Sequence, residues 1–252
     1  MPIASILIPV FNREILISES IKSAQNQTIE DIEIVVVDNN SNDGTWDVIC
    51  DLANKDPRIK AYKNNENIGP VNNWIRCVEN STSPYSKILF SDDLIHPQFI
   101  EKTIPHLINP NCGLAYTQAI IGEKPWQGGL FFSDFTKDTH IEKLSFVRLA
   151  TLLNNFTPVS PGAALFRTSD LKKNIFTQLP GVNNYDFRTL GAGVDWLIYV
   201  TTALAYKNIA YIAEPLAFFR AHPGSITVIN QDRKVDEGYL LAKEWFKKVL
   251  NW

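Results

Sequence analysis

Several things are scarce in this chain, and each scarcity removes a class of function. Three cysteines, Cys50, Cys77 and Cys112, are scattered and odd in number among 252 residues. Without a CxxC spacing they indicate neither a zinc site nor a disulfide framework. No run of Lys and Arg interleaves with aromatics and the formal net charge is −3, so a nucleic-acid partner is not expected. No apolar run is long enough to span a bilayer near the N-terminus. MPIASILIPVFNRE lacks a basic leader and is broken by Pro9 and Asn12, so it reads as a strand and the protein is expected to stay in the cytoplasm. GxGxxG does not follow the first strand and GxxxxGK[ST] is missing, so the usual dinucleotide and phosphate loops are excluded.

What is present is ordinary globular material, 45% hydrophobic and 20% charged. The first half alternates between two patterns. ASILIPV at 4–10 and DIEIVVV at 31–37 are continuous apolar runs of strand length, as expected for strands covered on both faces. Residues 58–63, 87–90 and 113–121 supply three more strands. Helical spacing appears at 15–26, 45–54, 70–80 and 98–108, with Pro70 in the favoured first position and Pro105 expected to kink or shorten the last. This alternation predicts an α/β fold on a mostly parallel sheet with right-handed crossovers. Its strand ends carry three polar loops, Phe11–Arg13, Asp38–Asn42 and Ser91–Asp93. A parallel sheet gathers such ends along one edge, where ligands of open α/β sheets bind.

The organising stretch is KILFSDDLIHP at 87–97. Asp92 and Asp93 either cap the following helix or hold a hard divalent cation that in turn holds phosphate oxygens. Residues 122–140 have no clear period and are expected to form a long loop, with Trp126, Phe131 and Phe132 packing it down or stacking on a sugar. A helix is expected over 142–154. At 158–167 a Pro-Gly turn leads into a strand, and Gly162 either opens that strand or lets a ligand approach the backbone. GAGVDW at 191–196 releases a helix to about 207, with Asp195 in its first turn, placed either to complement the helix dipole or to act as a general base. Asp186 is the alternative base. Residues 211–220 read as a strand pair interrupted at Glu214-Pro215, and a sharp turn follows at 221–227. Residues 231–252 form an amphipathic helix that packs on the body or makes a peripheral membrane contact.

SILIPVFNRE, IEIVVVDNNSNDGT, a strand ending in SDD, and then SPGAALFR, VDW and FFRAHPGSIT resemble, in that order, the inverting family 2 glycosyltransferases of GT-A fold. The resemblance covers most of the chain. It implies one GT-A domain over 1–252, with a nucleotide-sugar half to about 115 and an acceptor half after about 116. Pro9, Val10, Phe11 and Asn12 would wrap the base and ribose, and Asp38 and Asn39 would face the nucleobase. Asp93 would ligate Mn²⁺ or Mg²⁺ directly, with Asp92 nearer the ribose or a metal-bound water. His222 would ligate the metal or meet the diphosphate, and Arg220 would pair with phosphate. Gly162 and Trp196 would lie on the sugar and acceptor side, and Asp195 would be the base. Two departures stand out: Asn39 replaces an acid that commonly accepts from uracil, and Phe90 or Ser91 falls where a full D-x-D has its first acid. A UDP-sugar donor is favoured, and the acceptor is expected to be a glycan or lipid-linked sugar of the bacterial surface. The alternatives are a non-catalytic sugar-nucleotide binder and a sugar nucleotidyltransferase.

Overall fold

The structure is a computed structural model and describes residues 1–132, 135–152, 160–224 and 234–250. Its frame is one ten-stranded sheet. The strands are β1 (Ala4–Val10), β2 (Ile32–Asp38), β3 (Ile59–Lys63), β4 (Tyr85–Ile88), β5 (Leu94–Ile95), β6 (Cys112–Lys124), β7 (Gln127–Phe131), β8 (Thr139–Glu142), β9 (Ala164–Arg167) and β10 (Asn208–Arg220). The helices are α1 (Ile17–Gln25), α2 (Thr45–Ala53), α3 (Pro70–Glu79), α4 (Phe99–Ile108), α5 (Lys143–Leu152), α6 (Thr168–Asn174), α7 (Val194–Leu204) and α8 (Lys234–Leu250).

Every residue of β1 and β2 is buried, and strand periodicity explains how. Successive side chains alternate faces. Ile6, Ile8, Ile34 and Val36 therefore pack with Ile17 and Ile21 of α1, Ile49 of α2, and Phe99, Ile100 and Ile104 of α4. Leu7, Val35 and Val37 meet Val71, Trp74 and Cys77 of α3, in a cluster that runs on into α5, α7 and α8. A continuous apolar run is thus a strand sandwiched between two helical layers.

The sheet order is β3-β2-β1-β4-β9-β6-β10-β5, with β7 on β6 and β8 on β10. The first four strands are parallel, as the alternation predicts. The fifth does not join them directly. Strand β9, from the second half of the chain, enters between β4 and β6 and runs antiparallel to both. Residues 122–131 are not an irregular loop: β6 turns into β7 as a hairpin. A Cβ on Gly122 would overlap the backbone of Gln127 and Gly128, so close strand approach explains this glycine. Trp126 sits against Phe218 and Phe132 is buried, whereas Phe131 is about half exposed. Strand β10 is a single strand with register shifts on either side of Pro215, because the missing N–H interrupts the ladder without ending it. Helix α4 continues through Pro105. In α5 the core face is Phe146, Val147 and Ala150, and not Leu144 or Arg148, which are exposed. The end of the helix expected over 142–154, the segment 153–159 and the turn at 225–227 lie outside the described residues. No described helix is long and apolar enough to cross a membrane.

Candidate active site

The three polar loops meet at the carboxyl edge of the parallel strands. Asn12 N–H donates to Ser41 Oγ at 2.9 Å, Arg13 N–H donates to Thr45 Oγ1 at 2.8 Å, and Asn39 N–H donates to Val10 O at 2.8 Å. Arg13 Nε reaches Asp92 Oδ2 at 3.4 Å, and its Nη2 donates to Gly224 O at 3.2 Å. The loop after β1 is therefore bonded to the loop after β2, to the acid pair, and to the turn after β10.

The acid pair has two environments. Asp92 Oδ2 takes Arg13 and, at 3.0 Å, His222 Nε2. Both contacts fall on one oxygen, which among the described residues leaves Oδ1 for another partner. Asp93 turns inward: Oδ1 accepts from Arg220 N–H at 2.9 Å and only 8% of the residue is exposed. Burial, and then the Asp92 charge, push its pKa well above the ordinary value. Lys87 lies fully buried in β4, with Nζ donating to Ile88 O at 3.0 Å and to Gly162 O, and sitting 4.7 Å from the Phe99 ring centre. Burial lowers its pKa to about 7.

These environments bear on the residues expected around the metal. Asp93 Oδ1 is engaged by the Arg220 backbone N–H, whereas Asp92 Oδ1 has no partner among the described residues. His222 Nδ1 accepts from Gly224 N–H at 3.1 Å, so the neutral ring carries its proton on Nε2 and donates to Asp92. In this tautomer His222 orients Asp92. Arg220 is not an open phosphate fork: Nε donates to Asp92 O at 2.9 Å and Nη2 to Glu19 Oε2 at 2.6 Å.

The expected base contacts also change. Asp38 is fully buried, with Oδ1 accepting from Ser41 N–H at 3.1 Å and Lys63 Nζ 3.7 Å from Oδ2. Asn39 is 2% exposed and its amide is already bonded. Oδ1 accepts from Asn64 Nδ2 and from Ile68 N–H, each at 3.0 Å, and Nδ2 donates to Asn67 Oδ1 at 2.8 Å. An amide held this way pins the 64–68 loop and has no acceptor to offer a nucleobase. Pro9 and Val10 are buried within β1, so they wrap nothing with their side chains. Phe11, 39% exposed, is the apolar side chain of this loop that reaches the surface. Asn12 is held in the left-handed region at φ 51°, its Oδ1 accepting from Asn42 N–H.

On the other side lies the mouth of α7. Gly193, at φ +87°, allows the chain to enter the helix. Asp195 Oδ1 accepts from Gly193 N–H at 3.0 Å and Trp196 N–H at 2.8 Å, and Oδ2 accepts from Tyr239 OH on α8. Burial outweighs these bonds and raises the Asp195 pKa to about 7. Asp186, the alternative base, is exposed and paired with Arg188 at 2.8 Å, which holds its carboxyl below the usual range. Trp196 does not face a sugar. It is 1% exposed, donates Nε1–H to Ala150 O and packs against Phe246. Gly162 is buried against Ser160 and Phe219, and a Cβ there would stand 3.0 Å from the Phe219 ring. Its bareness thus serves packing. Gly191 abuts Trp74, whose ring centre is 5.5 Å from that of Phe90, so the mouth of α7 connects by side-chain contacts to the residues just before the acid pair.

The family model described as Glycosyl transferase family 2 matches residues 5–175. The chain belongs to glycosyl transferase family 2. It is 39% identical over 94 residues to a GalNAc(5)-diNAcBac-PP-undecaprenol beta-1,3-glucosyltransferase of Campylobacter jejuni, a match covering 37% of this chain and 30% of that protein. It is 32% identical over 108 residues to an uncharacterized glycosyltransferase of Haemophilus influenzae, covering 43% of each. The matched region therefore spans less than half the length of either relative. This family 2 chain also shares its GT-A fold with S. aureus TarS 1-349 in complex with UDP-GlcNAc, at TM-score 0.74 and 19% identity over 98% of this chain and 67% of that one. A mannosyltransferase from Pyrobaculum calidifontis, in complex with GDP-Man and Mn2+, aligns at TM-score 0.64 and 16% identity, covering 100% and 65%.

Three residues of this family 2 site have no role in the reading from sequence: Glu19, Lys87 and Tyr239. Lys87 leaves a trace, a cation inside an apolar strand immediately before two acids. Tyr239 leaves none, because its partner is 44 residues away.

Proposed function

We propose that this chain transfers a sugar from a nucleotide-diphosphate sugar to an acceptor hydroxyl, with inversion, Asp195 being the general base. The observation that carries the reading is the Asp195 carboxyl, oriented by two backbone N–H groups and with a pKa of about 7. A base is most effective when its pKa lies near the working pH, and a positioned carboxylate contributes typically 10²–10⁴-fold. Asp195 takes the proton of the acceptor hydroxyl as that oxygen attacks the anomeric carbon, and the nucleoside diphosphate departs on the opposite face. We propose a donor half to about residue 115 and an acceptor half beyond it.

The donor set suits a divalent ion weakly by itself. Asp92 offers one carboxylate oriented by His222, and among the described residues no three His, Cys, Asp or Glu side chains converge. Asp92 together with the donor's diphosphate oxygens would hold Mn²⁺ or Mg²⁺, whose role is to offset the charge growing on the leaving group. The Mn2+ in the P. calidifontis complex supports the involvement of a divalent ion. A UDP-sugar donor rests on the UDP-GlcNAc of the TarS structure, and a lipid-linked glycan acceptor rests on the name of the C. jejuni relative.

The test is a thermal-shift panel of UDP-glucose, UDP-GlcNAc, GDP-mannose and dTDP-rhamnose with and without Mn²⁺, followed by assay of nucleoside diphosphate release. One nucleotide sugar should raise Tm in a Mn²⁺-dependent way and be turned over. Binding without turnover would favour a non-catalytic binder, and release of pyrophosphate would favour a nucleotidyltransferase.

A further inference from the structure

The C-terminal helix reaches the candidate base through a single side chain. The Tyr239 hydroxyl donates to Asp195 Oδ2, the oxygen that the backbone does not hold. Two glycines make the approach possible. A Cβ on Gly193 would stand 2.6 Å from Gly238 O and 2.8 Å from the Ala242 side chain, and one on Gly238 would stand 2.7 Å from Ala192 O. Helix α8 therefore lies directly against the entry of α7. Its seating is reinforced by Tyr185 OH, which donates to Lys234 O at 2.8 Å, and by Phe246 packed on Trp196.

We infer that Tyr239 is a positioning residue of the transfer reaction: it fixes the free oxygen of Asp195 and favours the ionised carboxylate that accepts the acceptor's proton. The inference rests on the reading of Asp195 as base. Among the described residues Gly193, Trp196 and Tyr239 donate to the carboxylate, and the first two do so through backbone N–H groups that no side-chain substitution removes. Tyr239 is the adjustable one. A hydroxyl that donates to a carboxylate stabilises the ionised form, and an oxygen with one donor retains a second lone-pair direction for an incoming hydroxyl. The proton can then move from the acceptor oxygen to Oδ2 while Tyr239 stays hydrogen-bonded. The other groups that sense Asp195 are the Tyr185 and Tyr199 phenols, both shifted upward by burial and by its charge. Glu237 acts on Tyr185, and Lys243 lies 6.0 Å from the Trp196 ring centre. None of these groups contributes a hydrogen bond to the carboxylate.

The experiment is Tyr239→Phe, which removes one oxygen and keeps the ring. The Asp195 side-chain ¹³C carboxyl signal, assigned by its loss in Asp195→Asn, is titrated in the full chain of wild type and Tyr239→Phe. In parallel, nucleoside diphosphate release is followed from pH 5.5 to 9.5 with whichever of UDP-glucose, UDP-GlcNAc or GDP-mannose raises Tm most. The phenylalanine variant should titrate about one pH unit higher. Its kcat should fall about tenfold relative to wild type at pH 6 and recover to within about twofold at pH 9, with donor KM unchanged. An Asp195 titration that does not move, or a loss of kcat equal at all pH values, overturns the inference and leaves Asp195 as base untouched. Conversely, turnover that survives in Asp195→Asn refutes the base itself, whatever the titration shows.

Discussion

Replacing Asp195 by Asn should slow transfer by about 10²–10⁴-fold and at the same time stabilise the protein above neutral pH. The Asp195 carboxyl has an ordinary value of 3.8 and sits at about 7 in the fold, chiefly because burial penalises its charge. Between those values the folded protein retains a proton that the unfolded chain has released. Folding therefore loses free energy as pH rises through that window, and the loss is complete above about 7. The full displacement corresponds to about 4 kcal/mol at ~1.4 kcal/mol per pH unit. The part accumulated between pH 5 and 8 is about 2–3 kcal/mol, and the solvent access that Asp195 keeps trims it to about 1–3 kcal/mol. Asparagine is isosteric. Its Oδ1 can still accept from Gly193 and Trp196, and its Nδ2 can donate to a rotated Tyr239 hydroxyl. The stability difference between variant and wild type should thus grow in the variant's favour by about 1–3 kcal/mol from pH 5 to pH 8. For a chain of this length that is about 2–4 °C in Tm per kcal/mol. Urea unfolding at both pH values measures it. A difference that is constant with pH, or a variant that becomes relatively less stable at pH 8, would refute the reasoning.

Three further outcomes follow from the geometry. Asp92→Asn should weaken Mn²⁺ binding in the presence of nucleoside diphosphate, with a smaller loss, about 10–100-fold, for His222→Ala, which acts through Asp92; Mn²⁺ titration by electron paramagnetic resonance checks the order. Gly238→Ala should cost about 1–3 kcal/mol in urea unfolding, because its methyl group meets Tyr185 and Ala192 where the backbone is already in contact. Asn39→Asp, which restores the acid common in the family, should cost about 1–3 kcal/mol in the same assay by setting a carboxylate against the Asn67 carbonyl, and should not tighten UDP in a calorimetric titration.

The residues that read clearly in the sequence are those whose role is local. The apolar runs of β1 and β2, Pro70 at the start of α3 and the glycines before α7 each dictate their element from within a few residues. Three polar loops on parallel strand ends also dictate a shared edge, and Asn12, Ser41, Arg13 and Asp92 meet there. What stayed hidden depends on partners far along the chain. Strand β9 joins the sheet between β4 and β6 because both lack a neighbour there, a fact no local pattern carries. Asn39 looks like a base contact until Asn64, Asn67 and Ile68 use both ends of its amide. Asp93 and Asp92 are indistinguishable as letters; Arg220, across 127 residues, turns one inward and leaves the other to His222. Trp196 reads as a cleft residue beside Asp195, but one helical position rotates it into the core against Phe246.

The central claim is that Asp195 removes the proton of the attacking hydroxyl, and the most direct measurement is kcat for nucleoside diphosphate release by Asp195→Asn under saturating nucleotide sugar, alongside the donor Kd. The account requires kcat to fall by about 10²–10⁴-fold while Kd stays within about twofold. Turnover near the wild-type rate at an unchanged Kd would contradict it.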